Sequence, residues 1–448
     1  MRPLATLLLA AIAGYASPQT PPIQPKTPNA KMPPALTLPA PTEIGAGKKP
    51  LTADEAVAIA LKNQPIIGIA RANFISAQGR TQQAASGLLP DFTASSSYNQ
   101  SSLIHGSSGA GSPVGGQYNS SISVNQLLFD FGRTRDSVRQ EEALERAFRH
   151  TLTRTQQTLA LSVKQAFYNL VQNNDDLGID NSNVANRQRQ LDEAQARLDS
   201  GLGAPSDVVQ AKTNLAAAMI ALSTARDSQL LSQVALAQLL GIDPRTPITP
   251  ADSTEAAVDP ENDLTHLVDT ALKNRPDLTA AQEQVTAAKY AVSFSQKGNL
   301  PKVTASVGVG SRGANDPLAT ETGTFGISVT WNFADSGFTD GAVKQAKGNE
   351  EAARQTLILV TQQVVTDVSQ AYVDLQSALQ RVDLASVEVA NALEFVRIAE
   401  GRYTGGIGQF LDMTTAQSAL VSAQRDQSQA RLDVERVRAR LKAAIGIQ

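Results

Sequence analysis

The sequence predicts a mainly α-helical fold made of two copies of one unit, with long coiled-coil helices and four amphipathic strands per chain. Three observations lead to this prediction. The segment ALKNQP that ends at Pro65 returns as ALKNRP ending at Pro276. Apolar residues recur every seven positions in a long stretch and again in its second copy. Two pairs of short segments alternate apolar and polar residues, as strands do.

Composition excludes several classes of function. The 448 residues carry a net charge of −3, which argues against a polyanionic partner such as nucleic acid. Cysteine is absent, so disulfides, thiolate metal sites and a lipid-modified N-terminal cysteine are excluded. The three histidines, His105, His150 and His266, lie in unrelated contexts and are expected to be solvated surface residues. We therefore expect no metal and no cofactor.

The N-terminus predicts export. Residues 1–16 contain Arg2, an apolar run and a small-x-small pattern ending at Ala16, which together indicate a signal peptide too short to span a bilayer. Residues 17–50 are rich in proline and are expected to form a disordered tether. No later stretch offers the roughly 20 consecutive apolar residues of a membrane helix, so membrane contact would involve strands.

The first repeat is predicted over residues 51–242. It begins with a helix capped by Thr52 and Glu55, which form a capping box, and Pro65 is expected to bend this helix. Strands follow within 90–130, then a long helix over 133–200 and a helix over 206–241. Residues 243–260, with four prolines, form a linker. The second repeat, 261–448, has a helix, strands within 301–335, a long helix over 338–404 and a helix over 411–445.

The predicted strands have one apolar and one polar face. In the second repeat the apolar positions are Val303, Ala305, Val307 and Val309, then Phe325, Ile327, Val329, Trp331 and Phe333. This pattern is typical of membrane barrels, which face lipid on one side and water on the other. Trp331 and Phe333 are expected to face lipid or its interface, and packing where strands meet helices is the alternative. The offset between copies falls from 211 to 205 residues across the hairpin, so the first hairpin is longer by 211 − 205 = 6, in the loop from Ser101 to Gln117.

The long helices carry heptads in register between the copies, which predicts coiled-coil packing with a left-handed supercoil. The positions are Val163, Leu170, Leu177, Val184, Leu191 and Leu198, and then Val368, Leu375, Val382, Val389, Val396 and Tyr403. A helix of this length extends on the order of 100 Å, and each shorter helix about 50 Å. Two short helices stacked end to end therefore match one long helix.

Two glycine-bearing turns are related by the 205-residue offset: ARLDSGLGAPSD at 196–207 and GRYTGGIGQFLD at 401–412. Each has a simple structural explanation. Glycine ends helices with a positive φ, an acid in a first turn complements the helix dipole, and an arginine suits a helix C-terminus. Pairing between helices or with a partner is the functional alternative for the arginines. The paired positions are Arg197 and Arg402, Gly201 and Gly406, Gly203 and Gly408, and Asp207 and Asp412.

Four strands are too few for a closed barrel of about eight or more, and open edges are not tolerated in lipid. The chain must therefore oligomerise. Two copies would supply eight strands and three would supply twelve.

From Leu51 to Gln448 the chain resembles the TolC-like outer-membrane factor family. The resemblance rests on the duplicated order of elements, on the segment Leu128 to Asp130 with Gly132 opening the long helix, and on the two turns. It implies a homotrimer with a 12-stranded β-barrel in the outer-membrane lipid, continuous with a periplasmic α-barrel. It also implies efflux or type I secretion of small molecules or proteins together with an inner-membrane transporter and a periplasmic adaptor.

The resemblance also assigns roles at the turns. Gly201, Leu202, Gly406 and Ile407 match positions that dock the adaptor, and Arg197 and Arg402 are added as candidates beside them. Asp207, Tyr403 and Asp412 match the gate network and its acidic ring. Two positions depart from the family: Gly408 replaces an arginine that latches the gate, and Thr415 replaces a second aspartate ring.

These features predict a passive exit duct rather than an enzyme, because no nucleophile paired with a base, metal cluster or phosphate loop is found. The alternative is a periplasmic adaptor or structural coiled-coil protein. An adaptor normally has one long hairpin flanked by compact domains, whereas here the hairpin is duplicated and each copy has two amphipathic strands. The duplication favours the duct.

Overall fold

The computed structural model describes residues 50–101, 115–251, 263–313 and 320–447. The predicted signal peptide and all but the last residue of the tether lie outside these ranges, as do most of the first hairpin loop and residues 252–262 of the linker region. The predicted fold class, mainly helical with four strands, is confirmed. None of the helices in the described ranges is long and apolar enough to cross a membrane.

Each copy has two short helices, two strands, a long helix and a returning helix. The first copy comprises α1 (Ala53–Asn63), α2 (Pro65–Ser86), β1 (Asp91–Ser101), β2 (Gly115–Phe129), α3 (Arg133–Asp199) and α4 (Pro205–Leu240). The second comprises α5 (Leu264–Asn274), α6 (Pro276–Gln296), β3 (Lys302–Gly313), β4 (Glu321–Thr330), α7 (Phe338–Thr404) and α8 (Phe410–Ile445). Both long helices have 67 residues.

The capping box at the first helix is present. The Glu55 N–H donates to Thr52 Oγ1 at 3.3 Å, and the Thr52 N–H donates to the Glu55 carboxylate at 3.0 Å. The predicted bend at Pro65 is instead a complete break between α1 and α2. Gln64 is extended, with ψ of 124°, because proline disfavours the helical conformation in the residue before it. Pro65 is then free to be the first residue of α2.

The chain separates into two units. The strand unit comprises residues 78–143 and 286–351, apart from 102–114 and 314–319, and the helical unit contains residues 50–77, 144–285 and 352–447, apart from 252–262. The strand unit is a four-stranded antiparallel sheet in the order β1-β2-β3-β4. Among the described residues, β1 and β4 each have a strand partner on one side alone.

The register aligns side chains of one kind across the sheet. One row of paired residues is apolar and the neighbouring row is polar or glycine. The apolar row is Phe92, Val124, Val307 and Phe325, and the polar row is Thr93, Ser123, Gly308 and Thr324. The period-two alternation in the sequence therefore produces two chemically distinct faces.

The turn from strand to long helix is the same in both copies. Phe131 and Gly132 both have positive φ, at 57° and 79°. Asp130 accepts hydrogen bonds from the Gly132 N–H at 3.0 Å and the Thr134 N–H at 2.7 Å. Asp335 accepts the equivalent bonds before α7. An aspartate after the strand thus satisfies free N–H groups at the start of the long helix.

In the helical unit, the heptad positions of α3 and α7 are buried or half-buried. All of them except Leu177 and Val184 pack in four apolar clusters with residues of the shorter helices. The start of the first repeat is also bound to the linker, because the Leu51 N–H donates to the Thr249 carbonyl at 2.9 Å and the Ala251 N–H donates to the Leu51 carbonyl at 2.7 Å.

Candidate gate and docking turns

The two turns have the same backbone. Gly201 and Gly406 have φ of +72° and +75°. The N–H groups of these glycines bond to the carbonyls of Leu198 and Tyr403, three residues earlier in each copy. The next N–H in each copy, from Leu202 or Ile407, bonds to the carbonyl of Arg197 or Arg402. This pair of bonds is a Schellman cap, so both glycines end their helices as the sequence predicts.

Leu202 and Ile407 are exposed at the turns, at 78% and 77% of their surface. In a Schellman cap the residue at this position frequently packs against the last helical turn. Both side chains instead point away from the protomer, although burying either would be favourable. They are apolar groups available to a partner.

Gly203 and Gly408 are glycines because a Cβ atom has no room at either position, and not because their φ is positive. A Cβ at Gly203 would lie 2.8 Å from the Leu198 nitrogen, and one at Gly408 would lie 2.9 Å from the Arg402 Cβ and 3.0 Å from its carbonyl carbon. Any side chain at either position requires the preceding helix end to move. Glycine at position 408 therefore fits the close turn of this chain.

The two tip arginines have different surroundings. The Arg197 guanidinium lies 4.7 Å from the centroid of the Tyr403 ring, and its Nη1 donates to the Thr404 carbonyl at 3.3 Å. Arg402 is exposed and makes no side-chain hydrogen bond or ion pair with any described residue. Arg197 therefore connects the first turn to the second, whereas Arg402 remains available.

Tyr403 lies at the centre of the contact between the turns. It is 4% exposed and packs edge-on against Phe410, with 5.5 Å between ring centroids. Its hydroxyl is buried without a hydrogen-bond partner in the described part of the chain. Burial, followed by the negative charge of Asp207, raises the pKa of Tyr403 above its ordinary value. The structure thus brings three predicted residues together: Arg197, Tyr403 and Asp207.

The two aspartates occupy the first turns of α4 and α8, where a negative charge complements the helix dipole. Neither N-cap residue, Ala204 or Gln409, provides a side-chain cap. Asp207 is half-buried beside Tyr403. Asp412 is exposed, and its side chain makes no hydrogen bond or ion pair with the described residues.

Thr415, the second departure, is also exposed, but its hydroxyl donates to the Leu411 carbonyl at 2.8 Å. That bond lies within α8. The hydroxyl is therefore occupied by its own helix, and the charge of this turn comes from Asp412.

Sequence reasoning missed a polar seam on α3. Asn173, Asp180 and Arg187 are spaced by seven, and adding 205 gives three alanines of α7 at the same positions, Ala378, Ala385 and Ala392. Asp180 and Arg187 are 2% and 6% exposed. The signal was in the sequence, as a heptad row that is polar in one copy and alanine in the other.

The polar seam binds α8. Asp180 forms an ion pair with Arg425. Arg187 Nη2 donates to the Ser418 hydroxyl at 2.8 Å and lies 3.5 Å from the Thr414 carbonyl. Burial lowers the pKa of Arg187. A long helix of the first copy is thereby joined to the last helix of the second by directional bonds.

Two more carboxylates lie beside this seam. Asp175 accepts hydrogen bonds from Ser428 at 2.6 Å and Arg431 at 3.0 Å. Burial raises the pKa of Asp176, and the charges of Asp180 and Asp175 raise it further while Arg425 opposes them. Within the described ranges, no three histidine, aspartate or glutamate side chains lie together as candidate metal ligands.

Residues 56–242 and 267–447 match the sequence model of the family described as outer membrane efflux protein. Among curated relatives, the outer membrane efflux protein BepC of Brucella suis is 29% identical over 317 residues, covering 70% of this chain and 68% of BepC. The alkaline protease secretion protein AprF of Pseudomonas aeruginosa is 26% identical over 345 residues, covering 74% of this chain and 70% of AprF. TolC of Escherichia coli is 24% identical over 382 residues, covering 82% of this chain and 76% of TolC.

Solved structures show the same fold. The outer membrane protein VceC of Vibrio cholerae aligns with a TM-score of 0.78 and 21% identity, covering 88% of this chain and 96% of VceC. CusC, whose structures are described as showing transmembrane channel formation, aligns with a TM-score of 0.81 and 15% identity, covering 88% and 92%.

Proposed function

This chain belongs to the outer membrane efflux protein family and acts as an exit duct in the outer membrane, and we propose that three copies form the conduit. The observation that carries oligomerisation is the pair of free edges at β1 and β4 of the described sheet, and the resemblance to the TolC-like family supports the number three. Lipid does not tolerate open strand edges. Pairing the β4 of one copy with the β1 of the next closes twelve strands into a barrel.

A second surface supports trimer formation. Helix α4 has a row of exposed apolar side chains that the protomer leaves uncovered, and α7 has another. On α4 they are Val209, Met219, Ile220, Leu230 and Leu231, and on α7 they include Leu359, Val373, Leu384, Val387 and Leu393. Two rows of exposed apolar side chains indicate contact with another molecule. Neighbouring copies in the trimer would cover both the α4 row and the α7 row.

We propose that the turns dock a periplasmic adaptor through Gly201, Leu202, Gly406 and Ile407. The exposed pair Leu202 and Ile407 supplies apolar contacts, and the glycines allow a partner backbone to approach. Arg402 supplies a cation whose side chain has no hydrogen bond or ion pair with the described residues of the protomer. Arg197 contributes less to docking, because it already contacts Tyr403 and Thr404.

Adaptor docking is tested by co-purification. Adaptor and inner-membrane transporter should be recovered with the tagged wild-type protein after mild cross-linking, and recovery should fall sharply for the double variant Leu202→Ser, Ile407→Ser. The control is Gln210→Ser, an exposed polar change on α4. Equal recovery with the double variant and the control would refute docking at these turns.

We propose that Arg197, Tyr403 and Asp207 hold the two turns together in the closed gate and that Asp412 lines the aperture. Three copies of Asp412 around one axis form a ring of like charges, which attracts cations. Single-channel conductance tests this. Divalent cations should block the wild-type channel, and Asp412→Ala should abolish the block. Unchanged block in Asp412→Ala would disprove the ring.

We propose that the duct conducts small molecules or proteins delivered by an inner-membrane transporter through the adaptor. The relatives named for efflux and for alkaline protease secretion support both cargo classes. Membrane fractionation separates this function from a periplasmic adaptor: a duct is recovered as a heat-modifiable trimer in the outer membrane. Recovery as a soluble periplasmic protein would refute the duct.

A further inference from the structure

The strand unit contains a cavity of about 100 Å³ where strands meet helices. It lies beside the start of α3 and between the end of α6 and the start of β3. Its volume holds a few water-sized groups, since a water occupies about 30 Å³. Four of the lining residues are charged. The lining residues are Asp130, Arg133, Thr134, Phe294, Lys297, Leu300 and Lys302.

Arg133 is the central cation of this cavity. Its guanidinium lies 4.4 Å from the centroid of the Phe294 ring, which holds it in place. Its Nε is buried and has no hydrogen-bond acceptor among the described residues, and the side chain makes no ion pair with them. A buried donor on a charged group is costly when it has no acceptor. Arg133 therefore lacks an anionic partner from its own protomer in the described ranges.

Two lysines add positive charge. Lys297 Nζ lies 2.5 Å from Asp136, whose carboxylate also accepts from Ser293. Lys302 is exposed and makes no ion pair with the described residues.

The negative groups do not neutralise these cations. The Asp130 oxygens already accept bonds from Gly132 and Thr134. Counting three cations against Asp130 and Asp136 leaves 3 − 2 = 1 unbalanced positive charge.

The cavity lies next to strand ends that carry several aromatic side chains. Lys302 opens β3 and pairs with Thr330, the last residue of β4. Trp331 follows, and its Nε1 donates to the Asn299 carbonyl at 3.0 Å. Phe129 and Phe333 are also exposed at these strand ends. Aromatic girdles of this kind mark the membrane interface, where lipid phosphates lie.

We propose that this cavity binds a phosphate-class oxyanion, with the Arg133 guanidinium as the principal donor and Lys302 and Lys297 beside it. Arginine suits this ligand because its planar guanidinium matches phosphate oxygens. The anion is either the headgroup of an outer-membrane phospholipid or free phosphate. The lipid source rests on the outer-membrane location above, whereas binding of free phosphate does not.

The test uses the purified, delipidated full chain in detergent, with inorganic phosphate as the probe at constant ionic strength. Phosphate should raise the thermal midpoint in a saturable way, and chloride should not. Arg133→Gln should weaken phosphate binding at least about tenfold, because a charge-assisted bond is lost. Lys302→Gln should weaken phosphate binding several-fold. Because Lys302 is exposed, this variant should fold as the wild type does. Arg135→Gln, an exposed neighbour on α3, should bind as the wild type does.

A second arm identifies the source. Short-chain phosphatidylglycerol, added below its micelle concentration, should bind more tightly than glycerol phosphate if the occupant is a lipid; equal affinities identify a free anion.

The site is refuted if phosphate and chloride act alike, or if both Arg133→Gln and Lys302→Gln bind phosphate as the wild type does. It is also refuted if Arg133→Gln weakens trimer assembly and leaves phosphate binding intact, because the partner is then a carboxylate of a neighbouring copy. None of these results depends on adaptor docking or on the gate.

Discussion

The buried ion pair between Asp180 and Arg425 should respond unequally to removal of its two members. Asp180 is almost fully buried, whereas the Arg425 side chain is 42% exposed. Replacing Arg425 with alanine leaves a buried carboxylate without its cation. Replacing Asp180 with alanine leaves a cation that can turn toward water and that still has acidic neighbours.

The magnitudes follow from burial. Loss of one member of a buried pair costs about 3 to 5 kcal/mol when a charge is left uncompensated, and Arg425→Ala should lie near the lower end because water reaches this side of the pair. Asp180→Ala should cost about 1 kcal/mol or less, because Ala385 occupies the equivalent position of α7 and is buried there. The double variant should resemble Asp180→Ala, which gives a coupling energy of about 3 kcal/mol.

The assay is denaturant unfolding of the detergent-solubilised protein, followed by helical circular dichroism for the wild type, both single variants and the double variant. Arg397→Ala is the control, because Arg397 pairs with Glu394 on an exposed helix surface and its loss should have no measurable effect. Equal costs for the two single variants, or a double variant whose cost equals their sum, would contradict the reasoning.

Three further predictions concern the turns and the acidic cluster. Gly203→Ala and Gly408→Ala should each cost about 1 to 3 kcal/mol through overpacking, seen as faster amide exchange at the turn; exchange unchanged in both would show that the turn has room. Asp176→Asn should raise the thermal midpoint at neutral pH, because the pKa of Asp176 is raised in the folded state and the wild type loses stability as pH rises through that pKa. The stability advantage of the variant should vanish near pH 3.8, the ordinary pKa of the group. An equal advantage at every pH would contradict this prediction. Arg197→Met should destabilise the turns by about 0.5 to 1 kcal/mol, measured by the same amide exchange experiment, because its cation–π contact with Tyr403 is lost. Arg402→Met should leave amide exchange unchanged and reduce adaptor recovery. The reverse pattern would contradict the roles assigned to the two arginines.

The sequence predicts features set by local rules. Alternation in residues such as Val307 and Phe325 predicts strands because side chains point to opposite faces with a period of two. The turns at Gly201 and Gly406 are predictable because a positive φ favours glycine at a helix end. The heptads predict which faces of α3 and α7 are buried, because a seven-residue repeat places apolar side chains on one side of a helix.

Features that depend on distant partners were not predictable. Arg197 and Arg402 are equivalent in sequence, yet Arg197 contacts Tyr403 whereas the Arg402 side chain has no partner among the described residues, because the contact depends on how the two turns pack together. The partner of Asp180 lies 245 residues away on α8. The period of the seam was visible in the sequence, but no local rule identifies Arg425 as its counterion.

The Schellman caps have a consequence for how this chain can evolve. Both turns are held by main-chain carbonyls and by glycines, and the side chains of Leu202 and Ile407 contribute nothing to that scaffold. Substitutions there should be nearly neutral for folding. After the duplication, each turn could therefore acquire mutations suited to a different partner while its geometry stayed under purifying selection, which allows one ancestral loop to give rise to two recognition surfaces with separate specificities.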